Sequence, residues 1–287
     1  MKISYYETAE ELSSSYVPET FNYGVALRDG HKFFLKKIRK LPSRDEDSSC
    51  SCQGNAAGDI YLNRRLSYYK SLAQCRNGNI MIVHDFFKYG SSYYAVSDYI
   101  SGKALSFDGI VSLKTAEKYF LTASVLYSYA FLNFKHVVHF NVKTANIMAI
   151  PLNSGGVAAR IINFDYGFSE NSEPEIIDGD RAYISPECYL KMQGMPVILS
   201  CKSDIFSLGI VLHEIWTGAK PGLTAGSDNG NCISAALCHG QTPVLSKNLP
   251  GIMRGIISGM LIPAPEKRIS AAAAHALLVR HAGSMLN

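Results

Sequence analysis

His139-Phe140-Asn141-Val142-Lys143-Thr144-Ala145-Asn146, followed after a short polar turn by Ile161-Ile162-Asn163-Phe164-Asp165-Tyr166-Gly167, is the stretch on which the reading of this chain depends. It reads as an apolar strand end, then a loop presenting an amide, a lysine and a second amide at fixed offsets, then a carboxylate beside an aromatic ring and a glycine. An asparagine amide, unlike a carboxylate, takes up no proton at neutral pH.

Outward from this stretch, Leu113 to Phe134 reads as one long apolar helix. Ile147-Met148-Ala149 and Arg160-Ile161-Ile162 read as a strand pair around the turn Asn153-Ser154-Gly155-Gly156. Upstream, Phe21–Arg28 and His31–Ile38 flank Asp29-Gly30, a dipeptide that favours a two-residue hairpin. Alternation along the second strand puts Phe34 and Lys36 on one face. Residues 41–57 are polar and Ser-rich, an insertion before an amphipathic helix from Ala57 to Ala73. Ile60, Leu62, Leu66, Tyr69 and Leu72 are its expected apolar contacts. Strands are expected at Ile80–Phe86 and Tyr93–Tyr99.

The order of these pieces resembles the eukaryotic-type protein kinase superfamily, Ser/Thr-like, whose loops read H-R-D-x-K-x-x-N and then D-F-G. Phe33-Phe34-Leu35-Lys36-Lys37-Ile38 is similar to the V-A-I-K-x-I strand. Asp59-Ile60-Tyr61-Leu62-Asn63-Arg64-Arg65-Leu66 is similar to E-I-x-L-L-K-K-L. Gly179-Asp180-Arg181-Ala182-Tyr183-Ile184-Ser185-Pro186-Glu187 resembles G-T-x-x-Y-x-S/A-P-E, and Lys202 to Glu214 resembles the helix carrying D-x-x-S-L-G. Pro265-Glu266-Lys267-Arg268-Ile269-Ser270 resembles the element whose arginine pairs with the P-E glutamate, here Glu187. The resemblance runs over residues 21–280 and implies an α+β, bilobal fold. A small β-rich N-lobe with one main helix is expected over 1–98, including the 41–57 insertion, and a larger helical C-lobe over 99–287.

The resemblance also implies ATP and Mg²⁺ as ligands. Lys36 would grip the α- and β-phosphates and Lys143 would contact the γ-phosphate, with Asn146 and Asp165 holding the metal. Met148 would floor the base and Phe34 would roof it. The Asp98 carbonyl and Ile100 amide would face the adenine edge, with Ser97 as gatekeeper. Asp59 stands where the family's Glu pairs with the strand lysine, and reads equally as a helix N-terminal acid.

Three departures act on three requirements. Asn141 replaces the carboxylate that receives the substrate's proton. Phe34 replaces the small residue over the adenine. The stretch Ser15 to Gly24 has one glycine where the family places three. Phe140 replaces the arginine that receives an activation-loop phosphate, and Glu170, Glu173, Glu175, Asp178 and Asp180 read as a solvated acidic loop. The sum is a pseudokinase: a signalling or interaction module with weak or no ATP binding and a protein partner. The alternative is a divergent ATP-dependent Ser/Thr protein kinase with reduced phosphoryl transfer and a protein substrate.

Composition fits either reading. The chain has 287 residues, 47% of them hydrophobic, enough for one large or two modest domains. A net charge of +4, with no basic block longer than Lys36 to Lys40, gives nucleic-acid binding no support. Met1 to Glu7 is too polar for a signal peptide, and no apolar run approaches the ~20 residues of a membrane span, so a cytoplasmic protein is expected. Seven scattered cysteines read as reduced thiols, Cys50 and Cys52 included.

Overall fold

The computed structural model describes residues 2–8, 21–38, 54–100, 103–153, 155–172, 174, 177, 179–224 and 232–284. Cys50, Cys52, Glu173, Glu175, Asp178 and most of the 41–57 insertion therefore lie outside the described residues. Contacts divide the chain into two units: Met1–Arg76 with Met81–Gly102, and Asn77–Ile80 with Lys103–Asn287. The sequence reading drew its line between 98 and 99; here Tyr99 and Ile100 stay with the smaller unit. Asn77–Ile80 joins the larger one because Ile161 N donates to Asn79 O at 2.7 Å and Asn77 Nδ2 donates to Ser128 Oγ at 3.3 Å.

The smaller unit is an antiparallel sheet of β1 (Lys2–Ile3), β2 (Tyr6–Thr8), β3 (Phe21–Arg28), β4 (His31–Ile38), β5 (Val83–Tyr89) and β6 (Ser92–Asp98), in the order β1-β2-β3-β4-β6-β5. Asp29 and Gly30 make the expected hairpin: both have positive φ, 51° and 77°, as a type I′ turn requires, and Arg28 pairs with His31. The one glycine of the expected phosphate cover, Gly24, lies within β3 opposite Leu35. Residues 9–20, which join β2 to β3, contain no glycine.

Strand alternation sorts the two faces. Ala26, Leu35, Tyr94 and Val96 form a buried cluster with Ile3 and Tyr6 of the first hairpin. The opposite face carries Tyr23, Val25, Phe34 and Lys36, in register with Ala95 and Ser97 of β6. On that second face α1 (Gly54–Ala73) packs through Tyr61 and Tyr69 against Phe86, and through Tyr61 against Tyr93.

The inward stripe of α1 differs from the expected one. Ile60 is 54% exposed, whereas Arg65 is buried, its guanidinium 4.8 Å and 4.6 Å from the Tyr68 and Tyr69 ring centres. Arg65 Nη2 donates to Tyr69 Oη at 2.9 Å. Tyr61, Arg65, Tyr68, Tyr69 and Leu72 follow the helical period, but an arginine inside the stripe hides it from a count of apolar residues. Helix α1 also begins three residues earlier than expected, and β5 and β6 are Val83–Tyr89 and Ser92–Asp98.

The larger unit contains α2 (Phe107–Val111), α3 (Thr115–Phe134), β7 (Val137–Val138), β8 (Ile147–Pro151), β9 (Val157–Ile161), β10 (Phe168–Ser169), α4 (Pro186–Met192), α5 (Cys201–Thr217), β11 (Gly222–Leu223), α6 (Ile233–Cys238), β12 (Pro243–Val244), α7 (Gly251–Met260) and α8 (Ala271–Ser284). Helix α5 is buried on all sides from Ser203 to Ile215, so it is the spine of the unit. Ser200 caps its start by accepting from Lys202 N at 3.2 Å, and Gly218, at φ 80°, ends it. Gly209 is fixed by contact: a Cβ there would fall 2.9 Å from Met260 Cβ of α7.

Among the described residues Arg268 is the largest fully buried side chain. Its Nη1 and Nη2 donate to Glu187 Oε1 and Oε2 at 2.9 Å and 3.1 Å, the pair the sequence implied. No helix among the described residues is long and apolar enough to cross a membrane.

Candidate functional site

The loop after β7 is held from below by α5. Asp204 is buried, and its carboxylate accepts from His139 N at 2.7 Å and Phe140 N at 2.9 Å. Burial pushes its pKa up to about 7, against the pull of those two backbone N–H groups. The bonds brace Phe140 at φ 59°, a conformation uncommon for a bulky residue. The Phe140 ring turns into an apolar cluster and meets Phe168 edge-on at 5.2 Å.

His139 is fully buried, and burial lowers its pKa to about 4, opposed by its bond to Ile162 O and by the charge of Asp165. The ring is therefore neutral at pH 7. With Nε2 3.0 Å from Ile162 O and Nδ1 3.4 Å from Tyr129 Oη, the proton belongs on Nε2, where a carbonyl can accept it. The same ring packs against Phe164 at 4.4 Å.

Asn146 Nδ2 donates to Asn141 O at 2.7 Å, which closes the loop on itself. Asn146 Oδ1 accepts from Asn163 Nδ2 at 3.3 Å, and Asn163 sits at φ 70°. Strand register sets this meeting: Ile147 pairs with Ile161, and Ile162 N donates to Asn146 O at 3.0 Å, so the chain turns at Asn163 directly beside Asn146. Asparagine tolerates the left-handed conformation better than most residues.

Asn163 is not among the residues that the sequence singled out, yet it is the side chain that meets Asn146. Asp165, the carboxylate that the family resemblance would put on the metal, lies two residues further on, near enough to His139 for its charge to be felt. The available signal was the strand register, which places the residue after Ile162 at the turn.

Lys143 Nζ lies 3.5 Å from Asp180 Oδ2, so the lysine's charge is already partnered within the unit. Asp180 and Asn141 line one small cavity, together with Tyr183 and Ser185. Thr144 Oγ1 and Tyr183 Oη donate to Glu214 Oε2 at 2.5 Å and 2.7 Å, and Lys220 Nζ lies 3.1 Å from Glu214 Oε1. Met148 lines a wider surface cavity of about 420 Å³ with Leu105, Phe107, Ile110 and Ile147.

Glu170 is not merely a solvated acid of the loop. It accepts from Cys201 N at 2.9 Å and lies 2.6 Å from His136 Nδ1. Partial burial would raise its pKa, yet these bonds hold it below the usual carboxylate range.

In the smaller unit, Lys36 and Phe34 share the second face of the sheet, both half-buried, and Phe34 leans on Tyr23 at 5.5 Å. Asp59 is exposed, and among the described residues it forms no ion pair with Lys36. The Asp98 side chain turns to His84 Nε2, 2.5 Å away, and accepts from Ile82 N at 3.5 Å. Ile100, next but one along the chain, is partly buried.

Magnesium is a hard cation that prefers charged oxygen ligands. The amide pair Asn146–Asn163 is neutral, and Asn146 Oδ1 already accepts a hydrogen bond. Among the described residues, no group of three or more His, Cys, Asp or Glu is arranged to hold a metal ion. The paired asparagines fit Mg²⁺ poorly.

Comparison with known proteins gives one family. The protein kinase domain model matches residues 25–278. A "probable serine/threonine-protein kinase" of Clostridium acetobutylicum is 30% identical over 213 residues, covering 68% of this chain and 29% of that protein. Calcium-dependent protein kinase 4 of Plasmodium berghei is 30% identical over 199 residues, covering 67% of this chain and 34% of its own length. Serine/threonine-protein kinase A of Synechocystis is 27% identical over 137 residues, with 46% and 25% covered. The chain thus spans about a third or less of the length of these curated relatives.

Proposed function

Because this chain belongs to the protein kinase family, we propose that it works as a pseudokinase: a kinase-fold signalling or interaction module that contacts a protein partner without efficient phosphoryl transfer. The observation that carries this reading is the amide pair Asn146 and Asn163, in which Asn163 Nδ2 donates to Asn146 Oδ1 and Asn146 Nδ2 donates to the backbone carbonyl of Asn141, with no carboxylate in the chain of bonds. Active family members need a proton acceptor in the loop and a carboxylate on the metal. In our reading Asn141 stands at the first position and Asn163, rather than Asp165, at the second. Lys143 is drawn to Asp180 at 3.5 Å, at the place where the family motif has threonine, which weakens its hold on a γ-phosphate. The glycine-free connection 9–20 and Phe34 further disfavour tight nucleotide binding.

One observation favours the alternative, a divergent ATP-dependent Ser/Thr kinase. Asp180 returns a carboxylate to the cavity that Asn141 lines, and a carboxylate there could take the substrate's proton.

The test is thermal denaturation with ATP, with and without Mg²⁺, beside an autophosphorylation assay. Wild type should show no Mg²⁺-dependent stabilisation, and Asn163→Asp should introduce one. Metal-dependent stabilisation of wild type, with phosphate incorporation that is lost in Lys36→Met and in Asp180→Asn, would overturn the pseudokinase reading in favour of the enzyme.

A further inference from the structure

Helix α3 buries one side and, among the described residues, leaves large rings on the other side open to solvent. Leu121, Val125, Leu126, Tyr129 and Leu132 point into the larger unit. On the opposite side Phe120, Tyr127 and Phe134 are 57%, 47% and 73% exposed. These three are spaced by seven residues, with Ser124 and Phe131 between them, both partly buried. The steps of four, three, four and three are the spacing of a coiled-coil seam. The Tyr127 and Phe131 rings stack at 6.4 Å, and His275 of α8 borders the stripe at 5.7 Å from Tyr127. A line of large aromatics along a helix of about 30 Å is unusual for a surface that stays in water.

We infer that this face of α3 pairs with the same face of a second copy of the chain, antiparallel and about a two-fold axis at Tyr127. Charge complementarity selects this occupant. A two-fold interface must be complementary to itself, and the stripe has Glu117 near one end and Lys135 at the other. With Tyr127 facing its own copy, Phe120 of one chain lies opposite Phe134 of the other. Glu117 then lies within reach of the partner's Lys135, and the reverse pair forms by symmetry. A parallel pairing would set Glu117 against Glu117 and Lys135 against Lys135. Lys114 precedes the helix and has no counterpart on the opposing α3, so it does not upset the match.

Two further features agree with the pairing. Ala116, Ala123 and Ala130 flank the rings at the same seven-residue interval, leaving room for a second helix. The seven-residue repeat drifts ~20° per heptad around a straight helix, which favours a shallow left-handed crossing of about +20°. One helix face buries less than the ~800 Å² per partner of a standard interface, so the association is weak and concentration-dependent.

Sedimentation velocity over a concentration series of the full 287-residue chain tests this. Wild type should shift from monomer to dimer in the micromolar range, whereas Phe120→Glu and Phe134→Glu should remain monomeric with unchanged melting temperature. Glu117→Lys and Lys135→Glu should each weaken the dimer, and an equimolar mixture of the two should restore it, because opposite charges then meet across the axis. Tyr127→Cys should cross-link to a covalent dimer on mild oxidation under conditions that leave wild type monomeric on a non-reducing gel. A wild type that stays monomeric throughout, a mixture no stronger than its components, or a Tyr127→Cys protein that does not cross-link would each overturn the proposal.

Discussion

Replacing Arg268 by methionine would test how the larger unit is held together. All five guanidinium N–H groups are used: two reach the Glu187 carboxylate, Nε donates to Ile262 O at 2.9 Å, Nη2 donates to Pro263 O at 2.9 Å, and Nη1 donates to Lys202 O. The guanidinium also lies 5.1 Å from the Phe206 ring centre. Methionine fills much of the volume but leaves Glu187, itself buried, held by Ser203 Oγ at 2.8 Å, and takes a donor away from three backbone carbonyls. Breaking a buried ion pair from one side costs about 3–5 kcal/mol, a large share of the 5–15 kcal/mol by which a domain is usually stable. Urea denaturation followed by the fluorescence of Trp216, the single tryptophan, reports on this unit directly. The expected result is a midpoint lowered by that amount with an unchanged m-value. Replacing Glu187 and Arg268 together by leucine and methionine should recover part of the loss, since the charge then no longer needs a partner. An Arg268→Met protein within about 1 kcal/mol of wild type would refute the reasoning, because so small a cost is typical of an exposed pair.

Two further predictions concern the site. His139 is neutral in the fold, with its pKa lowered to about 4 from 6.5, so its contribution to stability is complete above pH 6.5 and is lost as pH falls through 4. At about 1.4 kcal/mol per pH unit the interval amounts to roughly 3 kcal/mol. Asp204 has the opposite sign, its raised pKa costing stability as pH rises toward 7, so the measurement must be a difference. Stability curves of wild type and His139→Phe between pH 7 and 4 should converge as pH falls, and parallel curves would count against a buried neutral imidazole. Phe34→Ala should strengthen binding of ADP in the absence of Mg²⁺, read by calorimetry, if the ring occupies the space of the base; unchanged affinity would clear Phe34 of that role.

The fold was legible where one residue type has one use. Asp29-Gly30 announced its turn because few other pairs adopt positive φ twice, and Lys202 to Glu214 was legible as a helix through its resemblance to the segment carrying D-x-x-S-L-G. Glu187 and Arg268 were legible because a motif pairs them across 81 positions. Legibility failed where a polar residue does an apolar one's work, as Arg65 does beneath two tyrosines. The meeting of Asn163 with Asn146 was not legible either, because it follows from the register of two strands and not from a local pattern. The ion pair of Lys143 and Asp180 depends on the return of a distant loop, which no local pattern encodes.

The edge-on contact of Phe140 with Phe168 has a further consequence. Where a cationic residue would tie the following segment to a phosphate, two rings tie it by excluding water. Such a contact carries no charge for salt to screen and no group for a phosphatase to remove. Its strength instead follows temperature through the heat capacity of apolar hydration, weakening on cooling. The ring contact is thereby indifferent to ionic strength and to covalent marking, and responsive to cold, whereas Glu170, two residues on, is held beside His136 by a contact that salt can weaken.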